Sequence, residues 1–252
     1  RSILRDRILA SLAFWVGVSL CLLLPSPATA LFSVGALDTN DLQQPTEDGG
    51  ARDVEIVGAL AYVASGDSGL RIIDVSNPES PVELGAWDTS GEASGIGVVG
   101  TLVYVADGAY GLLIIDVSNP STPVGIGALN TPGSAYDVEI VGTSAYVADG
   151  AYGLRIIDVS NPETPVELSA LDTPGSAHDV EIVGTLAYVA DGSSGLRILD
   201  VSDPSTPVEI GAFDTDGWAY HVEIVGTLAY VADGSSGLRI LDVSDPGAPV
   251  EI

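Results

Sequence analysis

The chain has 252 residues, of which 46% are hydrophobic, and it carries a formal net charge of -27 from 35 acidic and 8 basic residues. The hydrophobic content excludes a disordered acidic tail. The absence of lysine and the strong negative charge exclude a nucleic-acid-binding protein, which needs a basic surface to contact phosphates. The 30 glycines and 15 prolines imply many turns, so we predict a globular all-β protein.

The first 30 residues have the pattern of a secretory signal peptide. Three arginines precede an apolar stretch over residues 8–24, and the small residues Ala28 and Ala30 suit cleavage after Ala30. The alternative is an uncleaved membrane anchor, since the stretch approaches the length that spans a bilayer. Cys21 is a weak lipoprotein signal because Leu20 precedes it where a small residue is expected. We therefore expect a secreted or cell-surface protein that contacts a membrane only through this segment, if it is not cleaved.

A 42-residue repeat recurs five times without insertions from about residue 53 to residue 252. The most regular marker is a tyrosine in each copy, at Tyr62, Tyr104, Tyr146, Tyr188 and Tyr230. We place the repeats at about 53–94, 95–136, 137–178, 179–220 and 221–252. The repeats define a single domain that extends over residues 31–252.

Each repeat contains four short runs rich in Val, Ile and Tyr and bounded by turn residues. In the third copy we predict strands Val138–Val141, Ser144–Ala148, Leu154–Val159 and Val166–Leu171. Four antiparallel strands in 42 residues is the unit size of a β-propeller blade, so we predict an all-β propeller of such blades. Solenoid stacking is the alternative architecture.

The repeated string LRIIDVSNP, preceded by AYVADG and followed by PVE, resembles the LVIVD-repeat family of bacterial and archaeal cell-surface proteins. The resemblance covers about residues 31–252. It implies four-stranded blades and an exported propeller. It implies no catalytic motif.

A strand-like segment precedes the first repeat without the other three strands of a blade. Residues 34–39, VGALDT, match the fourth strand of a repeat, whereas the fifth repeat ends within its own fourth strand at Ile252. We predict that 34–39 is a closing strand that completes the fifth blade and removes exposed strand edges. The alternative is that further blades lie outside this sequence.

Repeated charges are interpreted as structural. In four copies, Glu on the first strand, Arg on the third and Glu on the fourth recur, as in Glu139, Arg155 and Glu167, and we predict that the three share one face. Aspartates that recur in turns, such as Asp149 and Asp158, are expected to accept turn amides. We predict no cofactor and no metal site. Bound calcium is the open alternative, although no Asp-x-Asp-x-Asp-Gly spacing occurs.

The copies differ mainly in two connections, which follow the second and fourth strands and emerge on one face. These connections carry aromatic and histidine side chains in some copies only, and loops on a rigid scaffold usually hold binding residues. We predict a ligand-binding face formed by Tyr110, Tyr136, Tyr152, His178, Trp218, Tyr220 and His221. Tyr and Trp suit stacking on sugars or contacts with a protein.

We therefore expect an exported, non-enzymatic scaffold that binds a protein or glycan at the cell surface. Two alternatives stay open. One is a carbohydrate-active hydrolase or lyase, for which the acids special to one copy, Asp67, Glu92 and Asp216, are scattered singly. The other is a purely structural surface protein.

Overall fold

A computed structural model describes residues 50–252, so the predicted signal peptide and the segment 34–39 lie outside the described residues. The described chain forms five four-stranded antiparallel sheets, one per repeat, each with its strands in sequence order. This confirms the all-β prediction and the prediction of four strands per repeat. In the third copy the predicted bounds differ only in that the first strand begins one residue earlier and the third ends one residue earlier.

Most strands have five or six residues. Sheet 1 contains β1 Asp53–Val57, β2 Leu60–Ala64, β3 Leu70–Asp74 and β4 Val82–Trp87. Sheet 2 contains β5 Ala93–Val99, β6 Leu102–Asp107, β7 Leu112–Asp116 and β8 Val124–Leu129. Sheet 3 contains β9 Asp137–Val141, β10 Ser144–Ala148, β11 Leu154–Asp158 and β12 Val166–Leu171. Sheet 4 contains β13 Asp179–Val183, β14 Leu186–Ala190, β15 Leu196–Asp200 and β16 Val208–Phe213. Sheet 5 contains β17 His221–Val225, β18 Leu228–Ala232, β19 Leu238–Asp242 and β20 Val250–Glu251, with a 3-10 turn at Gly234–Ser236.

The core lies between successive sheets, because the middle strands are apolar on both faces. Between sheets 2 and 3, for example, Tyr104 and Ile114 of one sheet pack against Val147 and Ile157 of the next. Ile114, Val147 and Ile157 are fully buried. Burying such a side chain contributes about 1.5–3 kcal/mol, so each sheet is stabilised mainly by its neighbours.

The first strands of neighbouring sheets contact one another in the order β1, β5, β9, β13, β17. We call these five strands the inner row. Within the described residues, no helix is long and apolar enough to cross a membrane.

Candidate functional site at one end of the inner row

Carboxylates on the inner row bind the main chain of the following sheet. Each first strand is an edge strand with unpaired N–H groups, and an unpaired buried N–H is costly. An aspartate at the start of three of these strands accepts a hydrogen bond from a main-chain nitrogen 43 residues later in the chain. The bonds are Ile96 N to Asp53 at 2.9 Å, Val180 N to Asp137 at 3.1 Å and Val222 N to Asp179 at 2.8 Å.

Glutamates two residues further along make the same contact. Val98 N donates to Glu55 and Ile224 N donates to Glu181, each at 2.6 Å. Burial, with the charge of Glu223 as the next cause, raises the pKa of Glu181 to about 8. The inner row is therefore an acidic surface whose carboxylates join one sheet to the next.

His221 supplies a positive charge within this acidic row. Its Nδ1 lies 3.0 Å from Asp179 Oδ2, and the attraction of Asp179 raises the pKa of His221 to about 10. Burial by itself would raise the pKa of Asp179, but attraction to His221 lowers it. Burial and the charge of Asp179 raise the pKa of Asp137 well above its ordinary value, and a hydrogen bond between the two carboxyl groups also raises it.

Electrostatic interactions extend along the inner row beyond neighbouring strands. Burial is the main cause of the raised pKa of Asp53, and Asp179 raises it further while His221 lowers it. Asp53 begins β1, whereas Asp179 and His221 begin β13 and β17, which are not neighbours of β1 in the row. The pKa of Asp53 in the first sheet therefore responds to charges in the fourth and fifth sheets.

Four side chains form an aromatic cluster beside this acidic row: Tyr136, His178, Trp218 and Tyr220. The ring of His178 stacks on Tyr136, with centroids 4.8 Å apart, and lies 5.2 Å from Tyr220. Trp218 Nε1 donates a hydrogen bond to His178 Nε2 at 3.0 Å. Burial lowers the pKa of His178, which keeps this ring neutral and able to accept that bond.

The repeat explains why these residues meet. Tyr136, His178 and Tyr220 occupy the same position of three consecutive repeats, directly before β9, β13 and β17. The inner row therefore brings their side chains together at one end. Arg52 and Ser94 occupy this position in the other two repeats, and Arg52 forms an ion pair with Glu92.

Glycines in the turns between second and third strands provide a flat surface for the rings. Gly192 has φ +53°, and a Cβ there would lie 2.9 Å from Trp218 Cε2. A Cβ on Gly150 would likewise lie 3.2 Å from the ring of Tyr136, and one on Gly234 would lie 3.2 Å from the ring of Tyr220. Glycine in these turns thus permits both the backbone conformation and the ring contact.

The five repeats of the chain match one known protein family. The LVIVD repeat model matches residues 48–89, 90–131, 132–173, 174–215 and 216–252. The chain belongs to the LVIVD-repeat family. No curated protein matches it by sequence.

Solved structures resemble this LVIVD-repeat protein in fold. The computationally designed Ika8 protein superposes with a TM-score of 0.63 at 5% identity, over 79% of this chain and 59% of the designed chain. The chain thus spans about three-fifths of that structure's length. A functionally unknown protein from Desulfotomaculum acetoxidans DSM 771 superposes with a TM-score of 0.64 at 14% identity, over 80% of this chain and 68% of the other. These likenesses show the fold alone.

The structure separates the seven residues predicted for the ligand-binding face. Tyr136, His178, Trp218 and Tyr220 form the aromatic cluster. Tyr110 lies in the turn of sheet 2, beside Gly91, and the ring of Tyr152 lies 5.6 Å from the Arg155 guanidinium. His221 was placed in a loop on sequence grounds, but it is the first residue of β17 and pairs with Asp179.

In this LVIVD-repeat protein, the prediction that the Glu, Arg and Glu of a repeat share one face is wrong for the first-strand Glu. Arg155 lies 4.0 Å from Glu167 of the fourth strand and 3.6 Å from Asp149. The register pairs Glu139 with Tyr146 and Arg155 with Val147, and neighbouring residues of a strand point to opposite faces. The first-strand Glu therefore lies on the other face from the arginine.

The interpretation of the turn aspartates is confirmed for Asp158, whereas the Asp149 carboxylate binds another loop and not its own turn. Asp149 accepts hydrogen bonds from the Thr131 hydroxyl and, at 2.9 Å, from Gly133 N of the preceding loop, and Asp158 accepts one from Ser160 N at 2.8 Å. Among residues 50–252, no group of three or more His, Cys, Asp or Glu side chains is arranged to hold a metal ion.

Asp53, Asp137 and Asp179 were missed as site residues in the sequence. Their position reads Asp, Gly, Asp, Asp and His through the five repeats, so it varies between copies as the aromatic positions do. That variation was the signal available, but only the sheet packing shows that these side chains face one another.

Proposed function

We propose that this protein is an exported, non-enzymatic β-propeller scaffold that binds a protein or glycan through the aromatic cluster. The observation that carries the proposal is the convergence of Tyr136, His178, Trp218 and Tyr220 at one end of the inner row. Residues that differ between copies are not needed by the repeat itself, and here they meet in one place.

The propeller architecture is supported by the inner row. The first strands of successive sheets contact one another, and Asp53 is electrostatically coupled to Asp179 and His221. Both features are expected when blades surround a common axis. The aromatic cluster then stands at one opening of the space along that axis.

The chemistry of the cluster suits a neutral or basic ligand. Trp218 is 40% exposed, and Trp and Tyr rings offer apolar area with polar edges to a sugar or a protein side chain. The inner-row carboxylates and the net charge of -27 repel an anionic ligand. Export is supported by the signal-peptide pattern of residues 1–30.

A glycan array and a panel of basic proteins, probed with the whole protein, test the proposal. We expect saturable binding that Trp218→Ala weakens at least about tenfold, as removal of an aromatic anchor does. The matched control is Tyr110→Ala, because Tyr110 is 50% exposed but lies in the turn of sheet 2. Equal losses in the two variants, or no binding to any probe, would contradict the proposal.

One observation favours a second candidate, a carbohydrate-active hydrolase. Adjacent Asp137 and Asp179 have pKa values shifted in opposite directions, as in a general acid and its partner base. Both carboxylates also accept main-chain hydrogen bonds, which favours the structural role. Hydrolysis of a bound polysaccharide that Asp137→Asn abolishes would establish the hydrolase. Binding without turnover favours the scaffold.

A further inference from the structure

The indole of Trp218 is held in the aromatic cluster by a hydrogen bond to His178. Trp218 lies in the connection between sheets 4 and 5, whereas His178 directly precedes β13 of sheet 4. Trp218 Nε1 donates to His178 Nε2 at 3.0 Å. The indole atoms nearest to a Cβ on Gly192 would be Cε2, Nε1 and Cζ2, so the N–H edge of the ring faces the protein.

The same pair of repeat positions makes a polar contact elsewhere in the chain. Arg52 and Glu92 precede His178 and Trp218 by three repeats, and they form an ion pair. The repeat geometry therefore brings these two positions together. In the fourth copy the pair consists of a titratable acceptor and an aromatic donor.

The hydrogen bond requires a neutral His178. The indole N–H only donates, and a neutral imidazole accepts at the nitrogen that carries no proton. Imidazolium donates from both nitrogens, so a second proton on His178 would set Nε2–H against the indole N–H. Protonation of His178 thus breaks the bond to Trp218.

The rings around His178 favour its retention as a cation. His178 stacks on Tyr136, with centroids 4.8 Å apart, and Tyr220 lies 5.2 Å away on the next sheet. A cation is attracted to an aromatic face within about 6 Å. The imidazolium therefore stays on the ring of Tyr136 when its bond to the indole is lost.

The main chain on either side of Trp218 is fixed by hydrogen bonds. Gly217 N donates to the Asp233 carboxylate at 3.0 Å, and Ala219 N donates to the main chain of sheet 4 at 2.9 Å. The indole side chain, and not the loop, is therefore the group that moves.

Three titratable side chains at the starts of β9, β13 and β17 surround this pair: Asp137, Asp179 and His221. Burial lowers the pKa of His178 below its ordinary value of 6.5, and attraction by Asp179 opposes this. Asp179 pairs with His221 at 3.0 Å and forms a hydrogen bond with Asp137. The pKa of Asp179 is lowered and that of His221 is raised to about 10, so this ion pair keeps its charges while His178 titrates.

We propose that His178 positions Trp218 and that protonation of His178 releases the indole, which weakens ligand binding at the aromatic cluster in acid. The release follows from the hydrogen-bond geometry alone. The effect on binding rests on the proposed function, in which Trp218 is an anchor for the ligand.

Heteronuclear NMR of the indole N–H groups tests the release without any ligand. The Trp218 resonance is assigned by its loss in Trp218→Phe. We expect this resonance to shift in one transition below pH 6.5, with the midpoint of the His178 imidazole. His178→Gln is the conservative variant, because the amide oxygen accepts the same bond and does not titrate, and we expect no transition in it.

Two further variants separate His178 from its charged neighbours. His221→Gln removes the positive partner of Asp179, so we expect the transition to persist and to move to higher pH. Asp137→Asn removes a carboxyl whose pKa is also raised, and we expect the transition to remain. A Trp218 resonance that stays fixed while His178 titrates would overturn the proposal, as would the wild-type transition in His178→Gln or its loss in Asp137→Asn.

The array of glycans and basic proteins, probed at neutral pH and below the transition, tests the effect on binding. We expect the wild-type affinity to fall at least about tenfold below the transition, as on loss of an aromatic anchor, and His178→Gln to keep its affinity. Equal wild-type affinity on both sides of the transition would overturn the control of binding. An array that binds no probe overturns the proposed function instead and leaves the indole transition unchanged.

Discussion

At the scale of single residues, the acids of the inner row do two things. Several carboxylates accept a hydrogen bond from a main-chain N–H of the following sheet, as Asp53 does from Ile96, and in their ionised form they add negative charge to a shared surface. The first effect stabilises the contact between sheets, and the second opposes it. Glu181 shows the balance most clearly, because its pKa is about 8.

The pH dependence of stability follows from the pKa of Glu181. The folded protein retains this proton between the ordinary value of 4.5 and about 8, whereas the unfolded chain loses it. The free energy of unfolding from this group therefore falls as pH rises through that interval. Glu181→Gln keeps an oxygen for the Ile224 N–H and removes the charge. We expect it to raise Tm at alkaline pH and to have little effect near the lower end of the interval.

Thermal unfolding followed by circular dichroism across this pH range measures the effect. Glu163→Gln is the control, because Glu163 is exposed in a turn of sheet 3. A gain in Tm that is the same at every pH, or equal in the two variants, would count against repulsion on the inner row.

At the scale of elements, the turn between second and third strands combines two requirements at one glycine. Gly192 has a positive φ, and its Cα faces the indole of Trp218. Gly184, in the turn between the first two strands of the same sheet, has φ +66° and no atom within 4 Å of a Cβ. Substitutions at Gly184 and Gly192 therefore separate the free-energy cost of the backbone conformation from that of the ring contact.

We expect Gly184→Ala and Gly192→Ala to lose about 1–3 kcal/mol each from the left-handed conformation. Gly192→Ala should lose more, and it alone should change the fluorescence of Trp218 and the affinity for a ligand. Chemical denaturation and a fluorescence titration provide the two readings. Unchanged Trp218 fluorescence in Gly192→Ala would mean that the turn does not position the ring.

The strands were predictable because their signals are local. Apolar runs between Gly, Pro and Asp turns gave the bounds in the third copy to within one residue, and the repeat extended them to the other copies. The side-chain faces were less predictable. Glu139 was assigned to the face of Arg155 by analogy between strands, but alternation along the strand and the register place it on the opposite face.

The aromatic cluster was predictable in part. Variation between copies identified Tyr136, His178, Trp218 and Tyr220, and the repeat placed them in connections of one kind. The repeat pattern could not show that His221 contacts Asp179, because Asp179 lies 42 residues away in another sheet. Contacts between sheets depend on packing that no local pattern encodes.

At the scale of the whole molecule, four nearly identical sheet interfaces provide stability, and the copy-specific side chains Tyr136, His178, Trp218 and Tyr220 collect at one end of the inner row. The acidic composition fits this division, since many acids of residues 50–252 lie in turns, in Arg contacts and on the inner row. The scaffold and the candidate site are thus distinct sets of residues, and they can be altered separately.

The most direct test replaces the four residues of the aromatic cluster with the serine that other repeats carry at equivalent positions. Ser94, Ser134 and Ser176 occupy the positions that correspond to the aromatic cluster, so serine is compatible with the fold there. The variant Tyr136→Ser, His178→Ser, Trp218→Ser and Tyr220→Ser is compared with the wild type for circular dichroism and for affinity toward the glycan or protein bound in the array. We predict an unchanged β-sheet spectrum and binding weakened at least about tenfold. An unchanged spectrum with undiminished affinity would contradict the claim that the aromatic cluster is the binding site.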